Sequence, residues 1–173
     1  MSQYNIKSTI ISGRDATPKV LVDPYISGGK IKESQGSVQT GSATDAVGST
    51  YRLCQVPSNA RITSLTLQND ALGGAVNVGV YWPTYVPNGN GLSSGNATTA
   101  INASCLASAF SVSTANSPTE LITRANVSIP NQEVQLWQVA GLSADPEIYL
   151  DIVATVSTIM SAQGSIGLKA KYL

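Results

Sequence analysis

The residue types that perform most enzyme chemistry are scarce in this chain. It contains no histidine, which excludes Ser-His-Asp and Cys-His catalytic groups, histidine zinc sites and the usual proton shuttle at neutral pH. Two cysteines, Cys54 and Cys105, are too few for a thiolate zinc site. Both lie among apolar residues far apart in sequence, which favours buried free thiols over a disulfide.

Carboxylate pairs are the remaining candidates for acid and base chemistry, as in glycosidases. Most acidic residues of this chain lie in turns or beside proline, where Asp and Glu are common because they bond the local backbone. We therefore favour structural roles over a catalytic pair, and we predict no enzymatic activity, no metal and no cofactor. The residues considered are Asp23, Asp45, Asp70, Glu120, Glu133, Asp145, Glu147 and Asp151.

An alternating segment, residues 75–82, leads into a polar loop rich in Pro, Asn, Gly and Ser. Tyr81, Trp82 and Tyr85 lie at this junction and could form a platform on which a sugar ring stacks. The interpretation we favour places Trp82 in the core and the tyrosines along a sheet edge.

The charge balance argues against two classes of partner. Lys plus Arg and Asp plus Glu both number 10, so the formal net charge is zero, and only 12% of residues are charged. Nucleic-acid binding needs clustered positive charge, so we predict no nucleic-acid partner. No apolar run has the length of a membrane helix or a signal peptide, so we predict no membrane partner and synthesis in a cytoplasm.

Alternation with a period of two predominates and predicts an all-β protein. Residues 161–164 are expected to form a hairpin connection and residues 56–60 a turn. The predicted strands are residues 5–11, 30–38, 49–56, 61–69, 75–82, 106–112, 147–158 and 165–172.

One segment has the pattern of a short helix. Pro130 to Glu133 could open it, and Gly141 could cap its C-terminus. Its expected role is to close one end of a sandwich, with Trp137 as the anchor.

About eight strands with one helix predict an antiparallel two-sheet sandwich. A jelly roll is the first choice and an immunoglobulin-like sandwich the second. Residues 1–45 contain more small and polar residue types than the rest of the chain. They are predicted to form an extended N-terminal arm with one or two strands. Residues 46–173 are predicted to form the sandwich domain.

Several runs resemble a family of phage virion proteins. They are YRLCQVPSNARI (residues 51–62), LTLQNDALGG (65–74), VGVY (78–81), LW (136–137), GLSADP (141–146) and YLDIVAT (149–155). The chain from about residue 29 onward is similar to the capsid cement, or decoration, proteins of short-tailed phages, such as the Bordetella phage with a jelly-roll cement protein.

The resemblance implies a jelly-roll subunit on the outside of an icosahedral head, assembled in a bacterial host cytoplasm. It implies binding to the major capsid protein and to further copies of itself, as a homodimer or alternatively a trimer, so that adjacent capsid subunits are clamped. We expect Arg14, Lys19 and Tyr25 of the arm to contact the capsid or a partner. The alternative hypothesis is a virion-borne module that binds a host surface or glycan.

Overall fold

Eight strands and one short helix make up the described part of the chain. The computed structural model describes residues 12, 16–18, 20, 29–41, 44–83, 99–122 and 134–173. The elements are β1 (Lys32–Gln39), β2 (Thr50–Pro57), β3 (Ile62–Asn69), β4 (Ala75–Tyr81), β5 (Ala100–Ser111), β6 (Asn116–Glu120), α1 (Leu136–Val139), β7 (Tyr149–Thr158) and β8 (Ser165–Tyr172).

The strands form two antiparallel four-stranded sheets. The first has the order β1-β8-β3-β6 and the second the order β2-β7-β4-β5. Strand pairs are therefore nested along the chain: β4 pairs with β5, β3 with β6, β2 with β7, and β1 with β8. This nesting is the jelly-roll order, with two Greek keys. It confirms the two-sheet sandwich and differs from the immunoglobulin-like alternative.

The core lies between the sheets and follows the predicted alternation. On β7 the inward residues Leu150, Ile152 and Ala154 are fully buried, and on β8 the inward residues Ile166 and Ala170 are as well. Each large aliphatic side chain buried in this way stabilises the fold by roughly 1.5–3 kcal/mol. The period-two pattern therefore identified the faces of the strands correctly.

The predicted hairpin at residues 161–164 is wrong, because β7 and β8 belong to different sheets. The connection crosses from one sheet to the other, and other segments satisfy its backbone groups. Ser161 N–H donates to the carbonyl oxygen of Leu72 (2.9 Å), and Thr40 N–H donates to that of Gly164 (2.8 Å). The predicted turn near residues 56–60 exists, and it also joins strands of different sheets.

Two strand predictions were incomplete. Strand β6 is not among the predicted strands, and β5 begins at Ala100 rather than at the predicted residue 106. The predicted strand at residues 5–11 lies outside the described residues.

The helix α1 forms near the predicted position, but its anchor is not Trp137. Leu136 and Ala140, four positions apart, are the buried residues, whereas Trp137 is half-buried. Residues four positions apart lie on the same face of a helix, and the face that carries Leu136 and Ala140 is the one that points to the core. Gly141 has φ of +87° and ends the helix as predicted, with Leu142 N–H donating to the carbonyl oxygen of Trp137 (3.0 Å).

The chain divides into two units, Met1–Lys30 and Ile31–Leu173. The second contains every strand described above, including β1, which lies within the range predicted for the arm. Pairing of β1 with β8 runs along the whole strand, from Lys32 opposite Tyr172 to Gln39 opposite Ser165. The predicted domain boundary after residue 45 stays a prediction.

Candidate interaction surfaces

A groove of about 600 Å³ crosses the outer face of the first sheet. The groove floor is built from β1, β3, β6 and β8, which are distant in sequence. Alternation directs every second side chain of a strand away from the core. The residues that line it are Gln35, Gly36, Ser37, Thr66, Gln68, Pro118, Gly167, Leu168 and Lys169. We call this surface the open face.

The chemistry of the open face is that of a docking surface. Gln35 and Gln68 offer amide donors and acceptors, and Ser37 and Thr66 offer hydroxyl groups. Among the described residues of the lining, Lys169 is the one ionisable residue, and its ammonium pairs with the Glu33 carboxylate at 3.1 Å. The surface can therefore form hydrogen bonds with a polar partner without bringing an unbalanced charge to the contact.

In contrast, the outer face of the second sheet is covered along β7 and β4. Asp151, Val153 and Tyr81 point away from the core on β7 and β4, yet they are 4%, 0% and 3% exposed. The Tyr81 hydroxyl bonds that of Thr155 at 2.6 Å, and backbone atoms of Ala103 lie against Gly79. The two outer faces therefore differ, and the groove lies on the first.

A polar cluster lies on this covered face. The Asp151 carboxylate accepts hydrogen bonds from the Arg52 guanidinium and from the Gln55 amide (2.9 Å). Arg52 also donates to the carbonyl oxygen of Trp82 at 3.1 Å. The cluster joins β2 to β7 across their shared ladder, so its bonds serve the fold.

Exposed apolar side chains lie at both ends of the sandwich. At one end are Val47 and Ile159, 61% and 58% exposed; Met160 N–H beside them donates to the carbonyl oxygen of Asp45 at 3.3 Å. At the opposite end are Ile31 and Tyr149, 64% and 57% exposed. Both pairs are small in area, so they can supplement a contact but are smaller than a typical protein interface.

Five of the carboxylates considered for catalysis accept structural hydrogen bonds, Asp151 among them. Asp70 accepts from Ser165 N–H (2.7 Å), and Glu120 accepts from Leu65 N–H (2.7 Å). Asp45 accepts from the Tyr51 hydroxyl, and Asp145 accepts from Glu147 N–H (2.9 Å). No cluster of three or more His, Cys, Asp or Glu residues occurs among the described residues. Asp23 and Glu133 lie outside them.

Burial changes the acidity of several side chains. It raises the pKa of the Tyr51 phenol, and the adjacent Asp45 carboxylate adds to this effect. It also raises the pKa of the Cys54 thiol to about 12 and that of Cys105 to about 11. Both cysteines are free, and both stay protonated at neutral pH.

We expect neither thiol to be reactive in the folded protein. The thiolate is the nucleophile, so at pH 8 a pKa of about 11 leaves roughly a hundredfold less thiolate than an ordinary cysteine has. A thiol-reactive dye should label both cysteines rapidly in denaturant and at least about a hundredfold more slowly without it. Rapid labelling of the native protein would show that Cys54 and Cys105 are not held in these environments.

The residues predicted for partner contact, Arg14, Lys19 and Tyr25, lie outside the described residues. Of the aromatic platform, Tyr81 is buried and Trp82 is half-buried against the core, while Tyr85 also lies outside the described part. The open face was missed in the sequence analysis because it depends on which strands become neighbours.

Comparison with known proteins gave one structural likeness. No protein-family model and no curated protein matches the chain. A chain of a solved structure, "Cyanophage Pam1 capsid asymmetric unit", is 19% identical with a TM-score of 0.49, and the match covers 84% of this chain and 85% of that one. Among the described residues, no helix is long and apolar enough to cross a membrane.

Proposed function

We propose that this chain is a structural protein of a phage virion, which binds the outside of the head as a cement or decoration protein. Its partners are the major capsid protein and further copies of the chain. The observation that carries the proposal is the open face, a polar groove on one sheet of a jelly roll, whereas the other sheet is covered along β7 and β4. The sequence resemblance to phage cement proteins agrees with it.

The stabilising mechanism is thermodynamic. Packaged DNA pushes capsid subunits apart, and a protein that binds two joined subunits favours the closed shell by mass action. Neighbouring contacts on a symmetric lattice raise the effective concentration of each further contact. A groove lined by amide and hydroxyl groups can hold a capsid segment through many individually weak hydrogen bonds.

The copy number of the chain in purified virions tests the proposal. We expect quantitative mass spectrometry to give a simple ratio to the most abundant shell protein, such as one to one, one to two or one to three. About a dozen copies would place the protein at a vertex, fibre or tail and would favour the recognition alternative. Complete absence from the particles would reject a virion role.

The docking surface has a separate test in the double variant Thr66→Arg, Gln68→Arg. Two long charged side chains would fill the groove, and docking would have to desolvate them. We expect co-sedimentation with heads that lack this protein to weaken by at least about tenfold, which corresponds to about 1.4 kcal/mol.

The matched control is Ser108→Arg, a charged substitution at an exposed position on β5 of the other sheet. It should leave head binding unchanged. Equal binding by the double variant and the control would show that the open face is not the docking surface. Thermal unfolding of all variants checks that the fold is retained.

A further inference from the structure

The four edges of the two sheets differ in how well they could accept another strand. β2 has an irregular register between Arg52 and Cys54, and β5 has three register shifts. β6 is only five residues long and contains Pro118. β1 pairs with β8 over eight residues without any shift. Irregularity, short length and proline all protect an edge from pairing, and β1 has none of them. Its charged residues, Lys32 and Glu33, lie at one end of the strand, so β1 is the least protected edge along the rest of its length.

β6 also has an irregular register. N–H directions alternate along a regular strand, but the pairing of β6 with β3 shifts between Leu67 and Asn69, beside Pro118. This irregularity protects β6, and so does Pro118, which has no N–H to donate. β1 contains no proline.

The same alternation identifies the outward groups of β1. Thr40 N–H donates to the carbonyl oxygen of Gly164 at 2.8 Å, so even-numbered residues of β1 bond β8. The N–H and C=O groups of the odd-numbered residues point to the open edge, and their side chains are exposed. In the part of the chain that the structure describes, no strand pairs with this edge. These residues are Glu33, Gln35, Ser37 and Gln39.

We propose that β1 binds the β1 strand of a second copy of this chain, antiparallel across a two-fold axis at Gly36. In this register Gln35 lies opposite Ser37 of the other copy, and Glu33 lies opposite Gln39. Each such pair exchanges two hydrogen bonds, about eight in all. The result is a continuous eight-stranded sheet with the open faces of both copies side by side.

Charge favours a second copy as the occupant. The proposed register places no like charges opposite each other, and the two Glu33 residues lie six positions apart, about 20 Å. That distance exceeds the screening length at physiological salt, and Lys169 pairs with each Glu33 within its own copy. The formal net charge of zero adds no repulsion between copies. This pairing rests on the proposed function in naming the strand through which further copies of the chain would bind, and it does not require a capsid.

Sedimentation velocity of the purified full chain tests the pairing, with Gln35→Pro as the disrupting variant. Proline removes one outward N–H per copy and no bond to β8. We expect wild type to dimerise and the dissociation constant of Gln35→Pro to rise at least about thirtyfold, from two lost hydrogen bonds. Gln35→Ala keeps the N–H and is the matched control, which should dimerise as wild type does.

A second pair of variants covers the case in which Gln35→Pro fails to fold. Gln35→Lys with Ser37→Lys places like charges opposite each other across the axis, whereas Gln35→Lys with Ser37→Glu places opposite charges there. The first should weaken the dimer and the second should preserve or strengthen it. A wild-type chain that stays monomeric, or dimers that are equally strong in both charge variants, would overturn the proposal. A dimer that survives in folded Gln35→Pro would also overturn it, because its contact would lie elsewhere.

Discussion

Replacing Gly36 with alanine is expected to lower the free energy of unfolding by about 3 kcal/mol or more. A Cβ at this position would overlap the carbonyl oxygen and carbon of Leu53, which are backbone atoms. Leu53 lies at the register irregularity of β2, where that strand approaches β1 of the other sheet. Relief of the overlap would have to move one sheet relative to the other. Urea denaturation followed by circular dichroism measures the change.

Gly167→Ala is the matched control, because Gly167 lies opposite Ser37 in the adjacent strand. The nearest atom to its added Cβ would be the Ser37 Cβ at 3.3 Å, a tight but adjustable contact. We expect a change within about 1 kcal/mol of zero, since alanine also restricts the unfolded chain. Equal effects of the two substitutions would show that β1 and β2 are not in close contact at Gly36.

Strand β8 shows what made a strand predictable from the sequence, namely regular alternation of apolar residues with small or charged ones. In β8, Ile166, Leu168 and Ala170 alternate with Gly167 and Lys169, and the pattern alone sets both the strand and its inward face. The end of the helix could also be predicted from the sequence, because Gly141 adopts a positive φ, which other residues rarely adopt.

The missed strand β6 carries no such pattern. Its sequence is NSPTE, polar throughout and interrupted by Pro118. It is held as a strand by tertiary bonds, in which Leu121 N–H donates to Leu65 and the Glu120 carboxylate accepts from Leu65 N–H. Local propensity could not predict a strand whose stability comes from its neighbour.

Which strands pair with each other could not be predicted from the sequence, for a different reason. Alternation tells which face of β7 points to the core, but it does not tell that β2 and β4, rather than β8, lie beside it. The predicted hairpin failed on this point. The open face could not be predicted either, because its residues come together only once β1, β8, β3 and β6 are placed in order.

The alternation along β7 puts Asp151 on the side away from the core, between the inward residues Leu150 and Ile152, yet that side is buried too. An acidic residue at 4% exposure needs partners, and nothing in the alternation indicated that Arg52 and Gln55 supply them from β2. The partners follow from the register of the pair, in which Gln55 lies opposite Asp151.

Asp151→Ala is expected to lower the free energy of unfolding by about 3 kcal/mol. Without the carboxylate, the Gln55 amide loses this acceptor. The Arg52 guanidinium loses its ion pair and keeps its hydrogen bond to the Trp82 carbonyl oxygen. A charge that keeps too few partners in a poorly hydrated site is costly. Because the Arg52 side chain is 25% exposed, the loss should lie at the lower end of the range for buried pairs. Thermal and urea unfolding measure it.

Two comparisons separate the loss of pairing from the loss of burial. Glu33→Ala breaks the ion pair with Lys169, whose side chains are 41% and 44% exposed, and should cost at most about 1 kcal/mol. The double variant Arg52→Met, Asp151→Leu removes both charges and should recover at least half of the Asp151→Ala loss, because no unpaired charge remains. If Asp151→Ala were no more costly than Glu33→Ala, the cluster would not contribute to joining β2 and β7. If the double variant were the least stable, the hydrogen bonds themselves, rather than the avoidance of an unpaired charge, would stabilise that edge of the sandwich.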